Sequence, residues 1–337
     1  MATCSNCGAE LKPGKKFCTN CGTAVSVLAT ETEGPTDAAE QLALGEKYYN
    51  GEGVPKDYEK MVYWYTKAAE QGNAEAQNKL GFSYAKGEGV PQDYVKSVYW
   101  FTKSAEQGNA KGQNNLGICY KNGEGVPQDY KEAVYWITKS AEQGYALGQR
   151  NLGLCYSKGD GVPQDDVKAV YWYTKSAEQG DVGAQNNLGI FYEEGKGVPQ
   201  DKEKAVYWYT KAAEQGNARA QFNLGVCYKK GEGVPKDKEK AVYWYTKAAE
   251  QGNAGAQYNL GLCYRYGQGV PVNCEKSVYW YTKAAEQGYA LAQSSLGHTY
   301  STGDNVTQDN AKAMYWYTKA AEQGNTEAQE YLKNLKK

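Results

Sequence analysis

The sequence predicts an all-α array of tandem helical hairpins, preceded by a small cysteine-rich module. Three observations predict it. Eight tryptophans, Trp64, Trp100, Trp136, Trp172, Trp208, Trp244, Trp280 and Trp316, follow one another every 36 residues, and there is no other tryptophan. A fixed period of this length marks stacked supersecondary units rather than a closed globule. The stretch around each tryptophan, clearest as AVYWYTKAAEQG at Ala241–Gly252, spaces its apolar residues at helical intervals. Loops bearing glycine and proline, such as GEGVP at 231–235, recur between helical stretches.

Residues 1–24 come first. Cys4-x2-Cys7 and Cys18-x2-Cys21 are separated by ten residues, and Gly8 and Gly22 follow the two pairs. Each C-x-x-C-G forms a tight knuckle that directs two thiolates at one point. Four thiolates then close a tetrahedral zinc shell with no open position, which makes the expected role structural. A segment this short buries too little apolar surface to fold alone, and metal binding supplies the missing free energy. A redox dithiol and a four-thiolate iron site are the rival readings. The segment resembles the short zinc ribbons at the N-termini of many bacterial and archaeal proteins. Residues 25–36, VSVLATETEGPT, show no helical period and read as a flexible linker.

Eight repeats fill 37–324, each of two helices. The sixth is the clearest. Its first helix is expected over Asn217–Lys230 and its second over Asp237–Gln251. Asn217 and Asp237 are natural N-caps, Gly231 and Gly252 natural C-terminal caps, and Pro235 stops the first helix from running on. On the helical wheel Ala241, Val242, Trp244, Tyr245, Ala248 and Ala249 share the buried half of the second helix. Ala220, Leu224 and Tyr228 line up on the first, beside Cys227. The tryptophan is expected to fill the space between neighbouring repeats. Residues 325–337, NTEAQEYLKNLKK, read as a polar capping helix, which such arrays need. At the other end Glu40 and Lys47 stand where later repeats carry small or apolar residues.

The totals restrict function. Net charge is −1 at neutral pH, which argues against a general nucleic-acid or anionic-membrane surface. No apolar run reaches the roughly 20 residues of a membrane span. The N-terminus, MATCSNCGAE, is read as lacking a secretory signal, and the chain as cytoplasmic. Cys119, Cys155, Cys227 and Cys263 hold one position in different repeats, too far apart for disulfides and suited to buried thiols. Cys274 could pair with Cys263, though a reducing compartment disfavours it.

The pattern LGxxYxxGxGVPxDxxKAxxWxxKAAxxG, carried from Leu224 and Gly225 to Ala249 and Gly252, resembles the Sel1-like repeat, a relative of the tetratricopeptide repeat. The resemblance implies a right-handed α-solenoid whose concave surface holds proteins together. It makes the expected function a non-catalytic scaffold for protein or peptide partners, with the zinc ribbon as a second docking module.

Two surfaces are candidates for that role. On the first helices, the positions of Arg219, Phe222, Val226 and Lys229 vary between copies, as exposed groove positions would. The Phe222 position reads Leu42, Asn78, Asn114, Arg150, Asn186, Phe222, Tyr258 and Ser294. Arg150, Arg219, Phe222 and Tyr258 are therefore candidate partner contacts, the alternatives being drift of solvated residues and, for the Val226 row, ordinary packing. On the second helices the residue before each tryptophan is always tyrosine, including Tyr207 and Tyr243. The wheel sets these rings outward, as a strip for self-association or for a long partner. The alternative is duplication, with each ring lying over lysine and threonine stems.

Evidence for catalysis is thin. His298 is the only histidine, at a position otherwise apolar, with no positioned nucleophile. The glycine loops lack the Gly-Lys-Ser/Thr ending of a phosphate loop. Two further alternatives stand: nucleic-acid binding through Lys12, Lys15 and Lys16 of the ribbon, and a β-lactam hydrolase. The second is linked to a secreted, cysteine-rich branch of the family, whose paired cysteines and export signal this chain does not share.

Overall fold

The structure is a computed structural model that describes residues 34–303 and 306–334. The four ribbon cysteines and Asn305 of the last repeat's loop lie outside these residues. All regular elements among the described residues are α-helices. They fall into two compact units, 1–128 and 129–337.

The first unit holds α1 (Ala38–Asn50), α2 (Tyr58–Glu70), α3 (Ala74–Lys86), α4 (Tyr94–Glu106) and α5 (Ala110–Asn122). The second begins with α6 (Tyr130–Glu142), α7 (Ala146–Lys158), α8 (Asp166–Glu178), α9 (Val182–Glu194), α10 (Lys202–Glu214) and α11 (Ala218–Lys230). It continues with α12 (Lys238–Glu250), α13 (Ala254–Tyr266), α14 (Cys274–Glu286), α15 (Ala290–Thr302), α16 (Asn310–Glu322) and α17 (Thr326–Asn334).

The expected punctuation is what sets the helix ends. Asn217 accepts from the Ala220 amide at 2.9 Å and Asp237 from the Lys240 amide at 2.8 Å. Gly231 ends α11 at φ 77°, and its amide donates to the Cys227 carbonyl. The Asp237 amide then donates to the Tyr228 carbonyl at 2.9 Å, folding the loop back on the helix it leaves. Tyr145 and Tyr289 break the pattern: they hold the N-cap positions of α7 and α15 and make no side-chain cap bond.

Each hairpin buries the residues the wheel selects. Ala241, Val242, Tyr245, Ala248, Ala249, Ala256, Leu260 and Cys263 form one cluster, with Trp280 packed against it. The cluster before it, around Tyr209 and Leu224, receives Trp244. The tryptophan thus reaches back onto the preceding repeat, as expected. It is half-buried, however, and the large side chain at the centre of the clusters is the residue that follows it, aromatic except in α6, where it is Ile137. Gly225 makes room for that ring, since a Cβ there would stand 2.6 Å from Tyr245.

A second connection between repeats is polar. Gln221 is buried at 4 % exposure; its amide donates to the Ala213 carbonyl at 3.1 Å and its oxygen accepts from Gln251 at 2.8 Å. The end of a helix leaves carbonyls without partners inside the helix, and this side chain satisfies one of them. The same arrangement recurs at Gln77, Gln185, Gln257 and Gln293.

The ends differ. Gln41 donates to the Pro35 carbonyl at 2.8 Å and Gln71 to the Thr36 carbonyl at 3.0 Å, so the last residues of the expected linker are docked on the first repeat. Glu40 and Lys47 are exposed. At the other end α17 packs on α16, with Tyr331 stacked on Tyr317 at 4.1 Å. Cys119, Cys155, Cys227 and Cys263 are buried free thiols, and Cys274 is free as well. Burial pushes the Cys119 and Cys227 thiols up to about 12, so they stay protonated and unreactive near neutral pH.

Candidate interaction surfaces

The first helices supply one candidate surface. The positions equivalent to Phe222, expected to be exposed, are all buried or half-buried. Asn114 is 2 % exposed and Ser294 3 %. Their variation has another cause, because each residue is matched to a neighbour one repeat along. Arg150 pairs with Asp181 at 3.2 Å, and Asn186 accepts from Asn223 at 3.4 Å. Phe222 lies 6.0 Å from Tyr245 and fills the space left by Gly255. Tyr258 packs between Tyr281 and Tyr289, and Ser294 donates to Glu327 at 3.0 Å. A position that varies in step with its neighbour mimics an unconstrained one when one helix is read alone. Of the four candidates on these helices, Arg219 is exposed. Arg150, Phe222 and Tyr258 present only an edge.

The Val226 row is largely packing. Ile190, Val226 and Leu262 each rest on a hydrophobic cluster. Phe82, 45 % exposed, is different. It borders a cavity of about 240 Å³ in the first unit, lined also by Tyr49, Tyr65, Glu75, Lys79 and Lys111. Small residues, Asn78 and Ser83, stand in its wall. Its charges are met from within: Lys111 pairs with Glu75 at 2.8 Å and Lys79 with Glu46 at 3.2 Å. Burial opposes ionisation of Glu75, but hydrogen bonds from Lys111 and Asn109 outweigh it and hold the carboxyl below its ordinary range.

The tyrosines preceding the tryptophans face outward. Tyr207 is 53 % exposed and Tyr243 54 %. Each ring sets its edge against the following tryptophan, at 5.0 Å for Tyr207–Trp208 and 4.9 Å for Tyr243–Trp244. A lysine one turn on covers it: Lys211 at 5.7 Å and Lys247 at 5.8 Å from the ring centres. Such contacts contribute about 0.5–1.5 kcal/mol each and hold the ring in one orientation. The surface is therefore aromatic, basic and pre-ordered.

Beneath the first helices lies a row of buried phenols. In α10 the Tyr209 hydroxyl donates to Glu193 at 2.5 Å. In α12 the equivalent Tyr245, fully buried, has a hydroxyl with no partner. Glu193 is replaced there by Lys229, whose ammonium turns to Asn259 at 3.1 Å. The two phenols should respond oppositely to loss of oxygen. Tyr209→Phe removes a charge-assisted bond and should lower unfolding free energy by about 1.5–3 kcal/mol. Tyr245→Phe removes an unsatisfied buried group and should leave stability unchanged or raise it by about 1–3 kcal/mol. Urea titrations of the two variants check this, and equal destabilisation would contradict it.

His298 is exposed on α15, and the contacts its backbone carbonyl accepts come from Ser301 and Thr302. Among the described residues no group of three or more His, Cys, Asp or Glu side chains is placed to hold a metal ion. Among the described residues no helix is long and apolar enough to cross a membrane. The glutamine contacts escaped the sequence reading, although glutamine recurs at one position from Gln41 to Gln329. That recurrence was the available signal.

The Sel1 repeat model matches eight consecutive segments, from 37–73 to 290–325. A zinc-ribbon domain matches residues 3–25. No curated protein matches the chain. Among solved structures, a protective antigen of uropathogenic Escherichia coli strains displaying an SLR fold is 40 % identical with a TM-score of 0.77. The match covers 89 % of this chain and 64 % of the antigen, so the chain spans less than two thirds of that relative. A Sel1 repeat protein from Oxalobacter formigenes is 37 % identical with a TM-score of 0.67, covering 88 % of this chain and 86 % of its own. The matched segments, the hairpin geometry and these two structures agree, and the chain belongs to the Sel1 repeat family, with the Sel1 solenoid fold and an N-terminal zinc-ribbon domain.

Proposed function

We propose that this protein is a non-catalytic scaffold that binds protein partners along its repeats. The observation that carries the reading is the exposed tyrosine of each repeat, fixed by its tryptophan and, in the first seven repeats, by a lysine as well. Rigid aromatic rings at half exposure give contact area with little loss of side-chain entropy, and such residues dominate protein interfaces. The five cysteines among the described residues form no disulfide and four of them are buried, which suits a reducing compartment and supports a cytoplasmic location.

The test is a pull-down from native lysate, read by mass spectrometry, with the full chain and a version starting at Asp37 as baits. A partner kept by both places binding on the repeats. A partner lost with the ribbon makes the ribbon the reader. No enrichment with either bait removes the scaffold reading.

The ribbon is proposed to hold one structural zinc ion through Cys4, Cys7, Cys18 and Cys21. The donor set fits: four thiolates suit a tetrahedral, borderline-soft cation and leave no ligand place for water. The purified chain should carry one equivalent of zinc by elemental analysis, and Cys7→Ser should carry far less. Iron in its place, or full zinc in the variant, would refute the assignment.

A further inference from the structure

Charge on the first helices of the second unit is segregated. α9 ends in Glu193 and Glu194. α11 carries Arg219, Lys229 and Lys230, α13 carries Arg265, and neither helix has an acidic residue. α15 has no Asp, Glu, Lys or Arg, and α17 begins with Thr326 and Glu327. Lys230 pairs with the loop residue Glu232 at 3.7 Å. Arg219 and Lys229 have no carboxylate at ion-pair distance among the described residues, and Lys229 is met by the neutral Asn259. Arg265 reaches the Thr299 hydroxyl at 2.8 Å. Half-buried Phe222 and Tyr258 lie on the same two helices.

We infer that the face of α11 and α13 takes a short acidic peptide segment, its carboxylates lying against Arg219 and Lys229. This rests on the scaffold reading and gives the partner a chemistry. The extent of the patch argues for a peptide. Glu193 and Glu194 on one side and Glu327 on the other bound it, so a long polyanion such as RNA would run onto like charge. A segment a few residues long stays within the cations, and Phe222 and Tyr258 give it an apolar floor.

The test uses the full chain and fluorescence anisotropy. The probes are a fluorescein-labelled decapeptide of glutamates with one central phenylalanine, its glutamine counterpart, and a labelled oligouridylate of 12 nucleotides. The glutamate peptide should bind, weaken as salt rises, and exceed the glutamine peptide at least tenfold. Lys229→Glu should weaken it about tenfold or more and Lys229→Arg should restore it. Lys158→Glu, an exposed change on α7, should alter it less than twofold. Both glutamate variants should melt as the parent does, which separates lost binding from lost folding. No saturable binding, equal binding of the glutamine peptide, tighter binding of the oligouridylate, or equal effects of the two variants would each overturn the inference. A lysate partner captured without peptide binding removes this inference and leaves the scaffold reading; failure of both removes both.

Discussion

Tyr245→Ala is expected to lower unfolding free energy by about 3–5 kcal/mol. The ring is fully buried, sits among Ala241, Ala248, Leu260 and Cys263, and touches Phe222 of the adjoining helix. Removing it leaves a cavity that rigid helices cannot close. Each repeat in such an array contacts only its neighbours, so the loss should be local. Hydrogen exchange should rise across α11–α13 before the rest of the second unit, and the urea midpoint should fall. Tyr243→Ala, two residues away and 54 % exposed, should change stability by about 1 kcal/mol or less, the size of a surface ring contact. Equal effects of the two would mean that the buried phenol is not the centre of the hairpin.

Gly233→Ala should be as damaging, for a different reason. Gly233 has φ 71°, and a Cβ there would lie 2.2 Å from the Lys202 carbonyl oxygen at the start of α10. The backbone conformation alone costs a residue with a side chain about 1–2 kcal/mol. The steric overlap adds to that, because backbone on both sides has to move and the loop holds one repeat against the one before it. Gly252 provides the control. Its φ is 88°, but nothing lies within 4 Å of its Cβ position, so Gly252→Ala should lose only the conformational part. Thermal melts followed by circular dichroism compare them, and similar shifts for both would refute the steric argument.

Much of this protein was legible in its sequence. The tryptophan register fixed the number of repeats, Asn217, Asp237 and Gly231 fixed helix ends, and the wheel picked Leu224, Ala241, Tyr245 and Ala248 as core. The outward direction of Tyr243 followed from the same wheel. These features depend on interactions within a turn or two of helix, which a linear pattern records. The Phe222 row shows where that reading stops. Variation there looked like exposure, yet Arg150 answers Asp181 and Ser294 answers Glu327, each across more than 30 residues.

The sequence by itself therefore determined what each helix is: its length, its caps, its buried stripe and its place in a 36-residue period. Only the tertiary structure decided what each helix meets. It placed the second-helix aromatic rather than the tryptophan at the centre of the cluster, joined Gln221 to Gln251, and left the Tyr245 hydroxyl without a partner. The physical reason is distance along the chain. Helical periodicity arises from neighbours three and four residues apart, whereas partners 30 or more residues away depend on how one hairpin is set against the next, and no single helix encodes that.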